Sequence, residues 1–238
     1  MRRFNLKTKL QEWMEQNVDW KESNEFVFMF HSVCEKNDWY NRNYCISPEM
    51  FEKLIIELKN KEYIFDSIEK LNEIKDKRKR VYFTFDDGFK SVYEYAIPIM
   101  NKYEIPYSIF ITIRFVGKEG YMNWKELKEI SNHKLCILGA HSYDHKCSSC
   151  CNIKELKKEL CDSRAILEYK LRKKINYFAF PYGDLSAISC KSIMLAKLAG
   201  YKKIFSTISR PADGDRSMLI SRININEFVW KRVLGKMR

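Results

Sequence analysis

The sequence has no apolar run long enough to cross a bilayer, and its N-terminus lacks the apolar segment that a secretory signal requires. No repeat, low-complexity tract or Gly/Ser-rich linker interrupts the 238 residues. A chain of this length suits one large domain with a sizeable core. These absences predict a single globular domain located in the cytoplasm.

The cysteines lack the arrangement of a disulfide scaffold or of a structural zinc site. The chain has eight cysteines but is long enough to form a core without disulfides, so most are predicted to be free thiols. One C-x-x-C pair, Cys147 and Cys150, lies in the segment CSSCC together with Cys151. A structural zinc site needs a second such pair, which is missing. A partial zinc role or a redox role for this cluster remains open.

Acidic residues are too few to balance the basic ones. The chain has 43 Lys and Arg against 31 Asp and Glu, a net charge of +12, which favours an anionic partner or surface. The charges are spread along the whole sequence, so most are interpreted as solvated helix surface, and no nucleic-acid partner is predicted. The C-terminal segment FVWKRVLGKMR mixes aromatic and basic residues. This mixture predicts peripheral contact with an anionic membrane.

Apolar β-type runs alternate with helical patterns from residue 26 onward. The predicted strands are 26–30, 81–85, 107–113, 135–140, 175–180, 202–207 and 218–225. The predicted helices are 47–60, 89–103, 123–130, 152–172 and 186–199. Repeated strand–helix units predict parallel strands with right-handed crossovers, arranged as a barrel or a doubly wound sheet. In both folds the chemistry gathers at the carboxyl ends of the strands.

Polar residues that can carry chemistry follow four of these strands. They are His31, the pair Asp86 and Asp87, the pair His141 and His145, and the turn Pro181–Gly183. Each group alone has a simpler explanation, such as a turn, a buried histidine or a chance pair on a loop. Three of the four histidines in the chain follow predicted strands, so these separate explanations would all have to hold together.

One carboxylate with two imidazoles is typical of an open catalytic zinc site, in which the fourth position is left for water or substrate. Such a metal acidifies water and polarises a carbonyl group, which predicts hydrolysis. Two adjacent carboxylates, Asp86 and Asp87, can then divide the work. One binds the metal, and the other accepts the proton of the attacking water.

The motifs resemble those of the polysaccharide deacetylases of the NodB-homology type, carbohydrate esterase family 4. TFDDG at Thr84–Gly88 is similar to the first motif of the family, and HSYDH at His141–His145 is similar to its H-[ST]-x-x-H motif. The segments FAFPYGD and FMFHSV extend the likeness, the latter to a subgroup with an N-terminal Y-H-x-V motif. The resemblance covers residues 26–225 and implies a single α/β domain folded as a distorted barrel of seven β/α units.

The resemblance implies a role for each residue of these motifs. Asp86 would be the general base, and Asp87, His141 and His145 would bind a divalent metal, commonly zinc. Tyr182 would contribute its backbone N–H to the oxyanion of the reaction intermediate.

Two departures from the common family pattern change the remaining assignments. Ala179 stands where the family has an arginine, and no histidine follows His145. The subgroup likeness therefore implies that His31 is the catalytic acid, which an amide leaving group requires. Arg222, near the last strand, is proposed to replace the arginine by pairing with Asp86 and lowering its pKa.

The function that follows from the resemblance is metal-dependent removal of an N-acetyl group from a sugar in a polysaccharide, oligosaccharide or lipid-linked precursor. The alternatives are a catalytically inactive glycan-binding barrel and a basic membrane-surface protein. The predicted domains are a helical extension at 1–25, the deacetylase domain at 26–226 and a basic tail at 227–238. Tyr121 and Trp124 would either stack on the sugar or pack at a helix start.

Overall fold

The computed structural model describes residues 2–35, 44–73, 76–213 and 218–237, with side chains described from residue 7 onward. The strands in these ranges are β1 Glu25–Phe30, β2 Ser32–Val33, β3 Cys45–Ile46, β4 Ile64–Phe65, β5 Arg80–Phe85, β6 Tyr107–Ile111, β7 Cys136–Ala140, β8 Tyr177–Ala179, β9 Lys203–Phe205, β10 Leu219–Ile220 and β11 Ile223–Asn224. The α-helices are α1 Arg2–Gln16, α2 Pro48–Asn60, α3 Ile97–Lys102, α4 Trp124–Ser131, α5 Ile153–Lys157, α6 Ser163–Leu171, α7 Cys190–Leu198 and α8 Trp230–Lys236.

A parallel sheet forms the centre of the molecule and confirms the predicted α/β barrel. Its strands run in the order β10-β9-β8-β7-β6-β5-β1-β11, with β4 added beside β5, and the registered pairs are all parallel. The two end strands, β10 and β11, are consecutive in the chain and are joined by Ser221 and Arg222. This link lies at the seam, the place where the two end strands of the curled sheet meet, and the barrel is distorted there.

The short strands account for the differences from the predicted strand list. The single strand predicted at 218–225 is divided into β10 and β11 by the two residues of the seam. β4 and the separate pair β2–β3 were not predicted. Each contains two residues, which is too few for a periodic pattern in the sequence.

Two of the predicted helices contain a π-helical turn, and a third begins later than predicted. Val92–Ala96 is π-helical before α3, where Pro98 has no N–H for an ordinary helical bond. Lys158–Asp162 is π-helical between α5 and α6. The helix predicted at 186–199 begins at Cys190, after the Ser189 side chain has capped it.

The alternation of side chains along β5 explains why acidic residues reach the barrel mouth. Phe83 and Phe85 point outward into the main core beneath the helices, whereas Tyr82 belongs to the smaller core inside the barrel. Thr84 also lies on the inner side, where its hydroxyl is close to the Arg222 guanidinium. Because side chains alternate with a period of two, the residue after Phe85 returns to the interior at the carboxyl end of the strand. That residue is Asp86.

Both ends of the chain contact the barrel. α1 is hydrogen-bonded to loops near the barrel mouth through Lys7, Gln11 and Glu15. At the other end, the segment predicted as a basic tail contains α8, whose three buried residues Trp230, Val233 and Leu234 belong to the main core, while Phe228 is exposed. None of the helices in the described ranges combines the length and apolarity needed to span a bilayer.

Cys34 and Cys45 form a disulfide beside β2 and β3. The expectation of free thiols therefore holds for the other six cysteines, all of which lie in described residues.

Candidate active site

The residues selected from the sequence converge at the carboxyl ends of the strands. One cavity of about 590 Å³ is lined by six of them: His31, Asp86, Asp87, His141, His145 and Tyr182. The seventh, Arg222, is completely buried behind the cavity and is bonded to Asp86. These seven residues are spread over 192 positions of the sequence, from 31 to 222, and the fold brings them together at one cavity.

Asp87, His141 and His145 are arranged as a metal site. The Asp87 Oδ1 atom lies 3.5 Å from His141 Nε2 and 3.2 Å from His145 Nε2. Zinc bonds of about 2.0–2.2 Å in a tetrahedral arrangement separate two ligand atoms by roughly 3.3–3.6 Å. The Asp87 Oδ1 atom is also buried and makes no hydrogen bond. The donor set and its spacing therefore fit a divalent ion such as zinc.

His141 is fixed in the orientation that a metal ligand requires. Its Nδ1 atom lies 2.8 Å from the carbonyl oxygen of Ala179, which leaves Nε2 directed at Asp87. A bond from the second ring nitrogen to a backbone carbonyl is the usual way in which proteins orient a ligating imidazole. The carbonyl of His141 in turn accepts a hydrogen bond from the Thr112 hydroxyl. Burial lowers the pKa of His141 to about 4, so the ring is neutral and able to bind a metal.

The loop between the two histidines is shaped by side chains outside the motif. Ser142 and His145 both have a positive φ, of 72° and 59°, and the Ser142 hydroxyl accepts a hydrogen bond from the His145 backbone N–H. The buried carboxylate of Glu159 accepts hydrogen bonds from the backbone N–H groups of Tyr143 and Asp144, at 3.1 and 2.9 Å. These bonds hold the loop in the conformation that brings His145 back toward Asp87.

Lys158 holds the same loop from the side. Its Nζ atom lies 2.6 Å from Asp144 Oδ2 and 4.2 Å from the centre of the Tyr143 ring. Lys158 and Glu159 are consecutive residues at the start of the π-helical turn between α5 and α6. Such turns are frequent at functional sites because they redirect side chains out of the regular helical array.

Asp86 is paired with Arg222, as the sequence analysis expected. The guanidinium donates two parallel hydrogen bonds to the carboxylate, each 2.7 Å long, and a third to the carbonyl of Ser206. Burial alone would raise the pKa of Asp86, but the charges of Arg222 and the neighbouring histidines lower it to about 2. Asp86 is therefore ionised at neutral pH.

The turn after β5 directs the two aspartates to different partners. Asp86 continues the strand, since its backbone N–H donates to the carbonyl of Phe30, whereas Asp87 adopts a φ of 70°. Gly88 also has a positive φ of 81°, and a Cβ atom there would lie 3.0 Å from Ile111 Cδ1. The backbone conformation favours glycine at this position, and the close packing leaves little room for a Cβ atom.

His31 lines the same cavity as Asp87, His141 and His145. Its ring contacts the ring of Tyr44, with 4.9 Å between the centroids, and its buried Nδ1 atom has no hydrogen-bond partner. Burial lowers the pKa of His31 from its ordinary value, although the charges of Asp86 and Asp87 oppose this effect. The imidazole is therefore a titratable group that lines the cavity and has one ring nitrogen without a hydrogen-bond partner.

The Pro-Tyr-Gly turn forms another wall of the cavity. Tyr182 adopts a φ of 61°, its ring contacts that of His145, and its carbonyl oxygen accepts a hydrogen bond from the Thr207 hydroxyl. Gly183 has a φ of 56°, and a Cβ atom there would meet Thr207 Cγ2 at 2.7 Å. The turn is thus held tightly against the loop after β9.

Four polar cavity residues were not selected from the sequence: Tyr44, Asp184, Thr207 and Asn224. Asn224 could have been selected from the sequence, because it stands two positions after Arg222 in the strand predicted at 218–225, where alternate side chains share one direction. Its Oδ1 atom is buried without a hydrogen-bond partner. No sequence pattern indicated Glu159, since it reaches the HSYDH motif only through the tertiary fold.

Tyr121 and Trp124, predicted either to stack on a sugar or to pack at a helix start, are both partly buried against the main core. The Tyr121 ring stacks on Phe89 at a centroid distance of 4.9 Å, and it is Phe89 that lines the cavity. The packing interpretation therefore fits these two residues better.

Comparisons with known proteins agree with this site. The family profile described as "Polysaccharide deacetylase" matches residues 73–204. A poly-beta-1,6-N-acetyl-D-glucosamine N-deacetylase from Staphylococcus aureus is 31% identical over 231 residues, which cover 90% of this chain and 77% of that protein.

Solved structures show the same fold. The Streptococcus pyogenes deacetylase PplD superposes with a TM-score of 0.78 at 22% identity, covering 91% of this chain and 99% of the other. IcaB from Ammonifex degensii gives a TM-score of 0.75 at 24% identity, covering 91% and 98% of the two chains. The family profile and the staphylococcal relative show that the chain belongs to the polysaccharide deacetylase family.

Proposed function

We propose that this protein is a metal-dependent N-deacetylase that hydrolyses the acetamido group of N-acetylglucosamine residues in a polysaccharide. The observation that carries the proposal is the convergence of Asp87, His141 and His145 around one point, next to the ionised Asp86. The staphylococcal relative is named for activity on poly-β-1,6-N-acetylglucosamine. We propose the same class of polymer as the substrate here.

The metal would be held by Asp87 Oδ1 and the Nε2 atoms of His141 and His145. We propose zinc, because two imidazoles and one carboxylate are a common catalytic zinc set. A bound ion would act as a Lewis acid that polarises the acetyl carbonyl and makes a water more acidic. Cobalt or another divalent ion with similar ligand preferences would be expected to substitute for zinc.

Asp86 is the proposed general base. Its carboxylate lies 3.9 Å from His141 Nε2, next to the metal position but bonded to Arg222 instead. A carboxylate with a pKa of about 2 remains ionised but is a weak proton acceptor. A bound ion would supply the acidity that compensates for this weak base, and Asp86 would hold the proton on its carboxylate. The metal ligands and Asp86 therefore have separate proposed roles.

His31 is the proposed acid. The bond between carbon and nitrogen breaks with difficulty unless the leaving amine is protonated, and His31 lines the cavity with one ring nitrogen that has no hydrogen-bond partner. The backbone N–H of Tyr182 is the proposed donor to the oxyanion that forms at the acetyl carbon. Arg222 is the proposed positioning residue for Asp86.

The domain division at residues 25 and 226 and the cytoplasmic location remain predictions from the sequence. The disulfide between Cys34 and Cys45 favours an oxidising compartment instead. Peripheral contact with an anionic membrane also remains a proposal, supported by the net charge of +12. The exposed Phe228 is the aromatic residue near the C-terminus that is available for such contact.

The reaction can be tested by measuring acetate release from N-acetylglucosamine oligomers with and without a chelator, together with the metal content of each protein sample. Asp87→Ala should lose the metal and the activity, because it removes a ligand. Asp86→Asn should retain the metal and lose turnover, because the amide cannot accept a proton. Loss of metal from both variants would contradict the division of roles between the two aspartates.

The second candidate function is a glycan-binding barrel without catalytic activity, which is favoured by the absence of the common family arginine at Ala179. The bonded pair of Arg222 and Asp86 weakens this alternative, because it supplies the same charge from another position. Metal-loaded protein that binds N-acetylglucosamine oligomers but releases no acetate would support the binding function.

A further inference from the structure

Two thiols of the CSSCC segment face one another beside the active-site loop. The Sγ atoms of Cys147 and Cys150 are 3.6 Å apart, and Cys150 is exposed while Cys147 is half-buried. A disulfide bond requires a separation of about 2.05 Å, so a small rotation of the side chains would bring the sulfur atoms into bonding distance.

The backbone between the two thiols is already held in a tight turn. The Cys150 backbone N–H donates to the carbonyl of Cys147 at 3.1 Å. Within the turn, the Ser148 hydroxyl and the Ser149 N–H both donate to the carbonyl oxygen of Ala187, at 2.7 and 2.9 Å. These bonds restrict the segment before any reaction occurs, so closing a ring between its ends costs little further conformational entropy.

The third cysteine of the segment is directed elsewhere. The Cys151 thiol donates to the carbonyl oxygen of Cys147 at 3.4 Å and does not contact either of the facing sulfur atoms. Cys150 is thus paired with the cysteine three positions before it rather than with its direct neighbour. This arrangement is the C-x-x-C spacing found in thiol–disulfide exchange sites.

We propose that Cys147 and Cys150 form a redox-active dithiol that reacts with low-molecular-weight disulfides such as oxidised glutathione. The exposed Cys150 thiolate attacks the disulfide, which forms a mixed disulfide and releases one thiol. Cys147 then attacks the Cys150 sulfur and releases the second thiol. The protein loses two electrons and two protons, and the small disulfide is reduced to two thiols. This reaction is separate from deacetylation and does not depend on it.

The test treats the full-length reduced protein with oxidised glutathione, quenches it with iodoacetamide and maps the cysteine peptides by mass spectrometry. The wild-type protein should give an internal disulfide between Cys147 and Cys150. Cys147→Ser should retain glutathione on Cys150, because the resolving thiol is gone. Cys150→Ser should give no disulfide at Cys147.

Cys190→Ser is the matched control, since Cys190 is another exposed free thiol and lies on a different helix. This variant should form the internal disulfide as fully as the wild type. Persistent glutathione on Cys150 of the wild-type protein would overturn the proposal, because it would mean that Cys147 cannot reach the mixed disulfide. Failure of all forms to react would overturn it equally. The disulfide between Cys34 and Cys45 is followed on separate peptides.

Discussion

At the scale of single residues, the bond between Asp86 and Arg222 determines the charge of the active site. Both side chains are almost completely buried, and two hydrogen bonds of 2.7 Å join them. A buried ion pair of this kind adds little stability compared with an apolar pair, but removal of one partner leaves an uncompensated charge. The arginine is therefore needed to keep the neighbouring carboxylate ionised in a site from which water is largely excluded.

Replacing Arg222 with Met should destabilise the protein by about 3–5 kcal/mol, because Asp86 is left buried without its partner. The folded-state pKa of Asp86 is about 2, below its unfolded value of about 3.9, so this pair stabilises the protein above that pH. The stabilisation is lost as the pH falls through the folded-state pKa. Without Arg222 the pKa rises, and the acidic limb of the pH–rate profile should move to higher pH.

Denaturant titrations and pH–rate profiles of the Arg222 variant measure these effects. The double variant Arg222→Met with Asp86→Asn should recover most of the stability, since it removes both charges. Arg232→Met, at an exposed position, should stay within about 0.5 kcal/mol of the wild type. If the single Arg222 variant were as stable as this control, the carboxylate would not depend on its partner.

His31 is expected to determine the alkaline limb of the same profile. Its pKa is lowered by burial, so the protonated form that an acid catalyst requires is present at low pH and is lost as the pH rises through that value. The midpoint should therefore lie below the ordinary histidine value of about 6.5. His31→Asn should lower kcat/KM by about 10²–10⁴ while the metal content is unchanged.

The pH dependence of kcat/KM for the His31 variant tests whether His31 is the acid. If the alkaline limb persists without change, the proton of the leaving amine comes from another group, such as a protonated Asp86. Loss of the metal from this variant would mean that His31 acts in assembling the metal site.

At the scale of secondary-structure elements, the π-helical turn Lys158–Asp162 restrains the loop His141–His145, which precedes it in the sequence by more than a dozen residues. Its Glu159 carboxylate accepts hydrogen bonds from two backbone N–H groups between the two histidines proposed as ligands. Residues that orient metal ligands from outside the coordination sphere influence metal affinity strongly. The π-helical turn therefore supports the proposed metal site.

Glu159→Ala should weaken metal binding by about 10- to 100-fold, because the backbone of Tyr143 and Asp144 loses its acceptor. Each N–H left without a partner should also cost about 1–3 kcal/mol of stability. Glu159→Gln retains an acceptor oxygen and should recover part of the affinity. Calorimetric titration of the metal-free proteins with zinc measures the effect without reference to turnover.

Asp162→Ala is the matched control, since it removes an exposed carboxylate from the same π-helical turn. Its metal affinity should equal that of the wild type. If Glu159→Ala lost stability but retained full affinity for zinc, Glu159 would support the fold and not the metal site.

At the scale of the whole molecule, α1 connects the start of the chain to the rim of the cavity. The Gln11 side chain accepts a hydrogen bond from the Leu185 N–H, and the Glu15 carboxylate accepts one from the Ser209 N–H. Leu185 follows the cavity residue Asp184 directly. The helix α1 thus restrains two loops that contain the cavity residues Asp184 and Thr207.

Replacing both Gln11 and Glu15 with Ala should remove about 0.5–1.5 kcal/mol for each lost hydrogen bond. For a chain of this size, each kcal/mol corresponds to a fall in Tm of about 2–4 °C. KM for N-acetylglucosamine oligomers should rise while kcat stays near the wild-type value, because the catalytic side chains are not contacted. Thermal unfolding and steady-state kinetics test this, and Glu12→Ala, at an exposed position, should change neither quantity.

The sequence by itself determined the class of fold and most of the site. Buried strands alternating with helices specify a parallel sheet, and the carboxyl ends of parallel strands meet at one mouth. His31, Asp86 and His141 could therefore be assigned to the same place from their positions after strands. The turn after the strand at 81–85 could be predicted as well, since the glycine of DDG readily adopts a positive φ.

Only the tertiary structure decided how distant side chains reach the site. The pairing of Arg222 with Asp86 was expected from the resemblance, and the structure gives its physical reason, since Arg222 lies in the seam that joins the two end strands of the sheet. Glu159 reaches the histidine loop through a π-helical turn, and Cys147 faces Cys150 because Ala187 holds the turn between them. The local sequence pattern carries no signal for the Glu159 contact, since its energy depends on the distance between the groups in space and not along the chain.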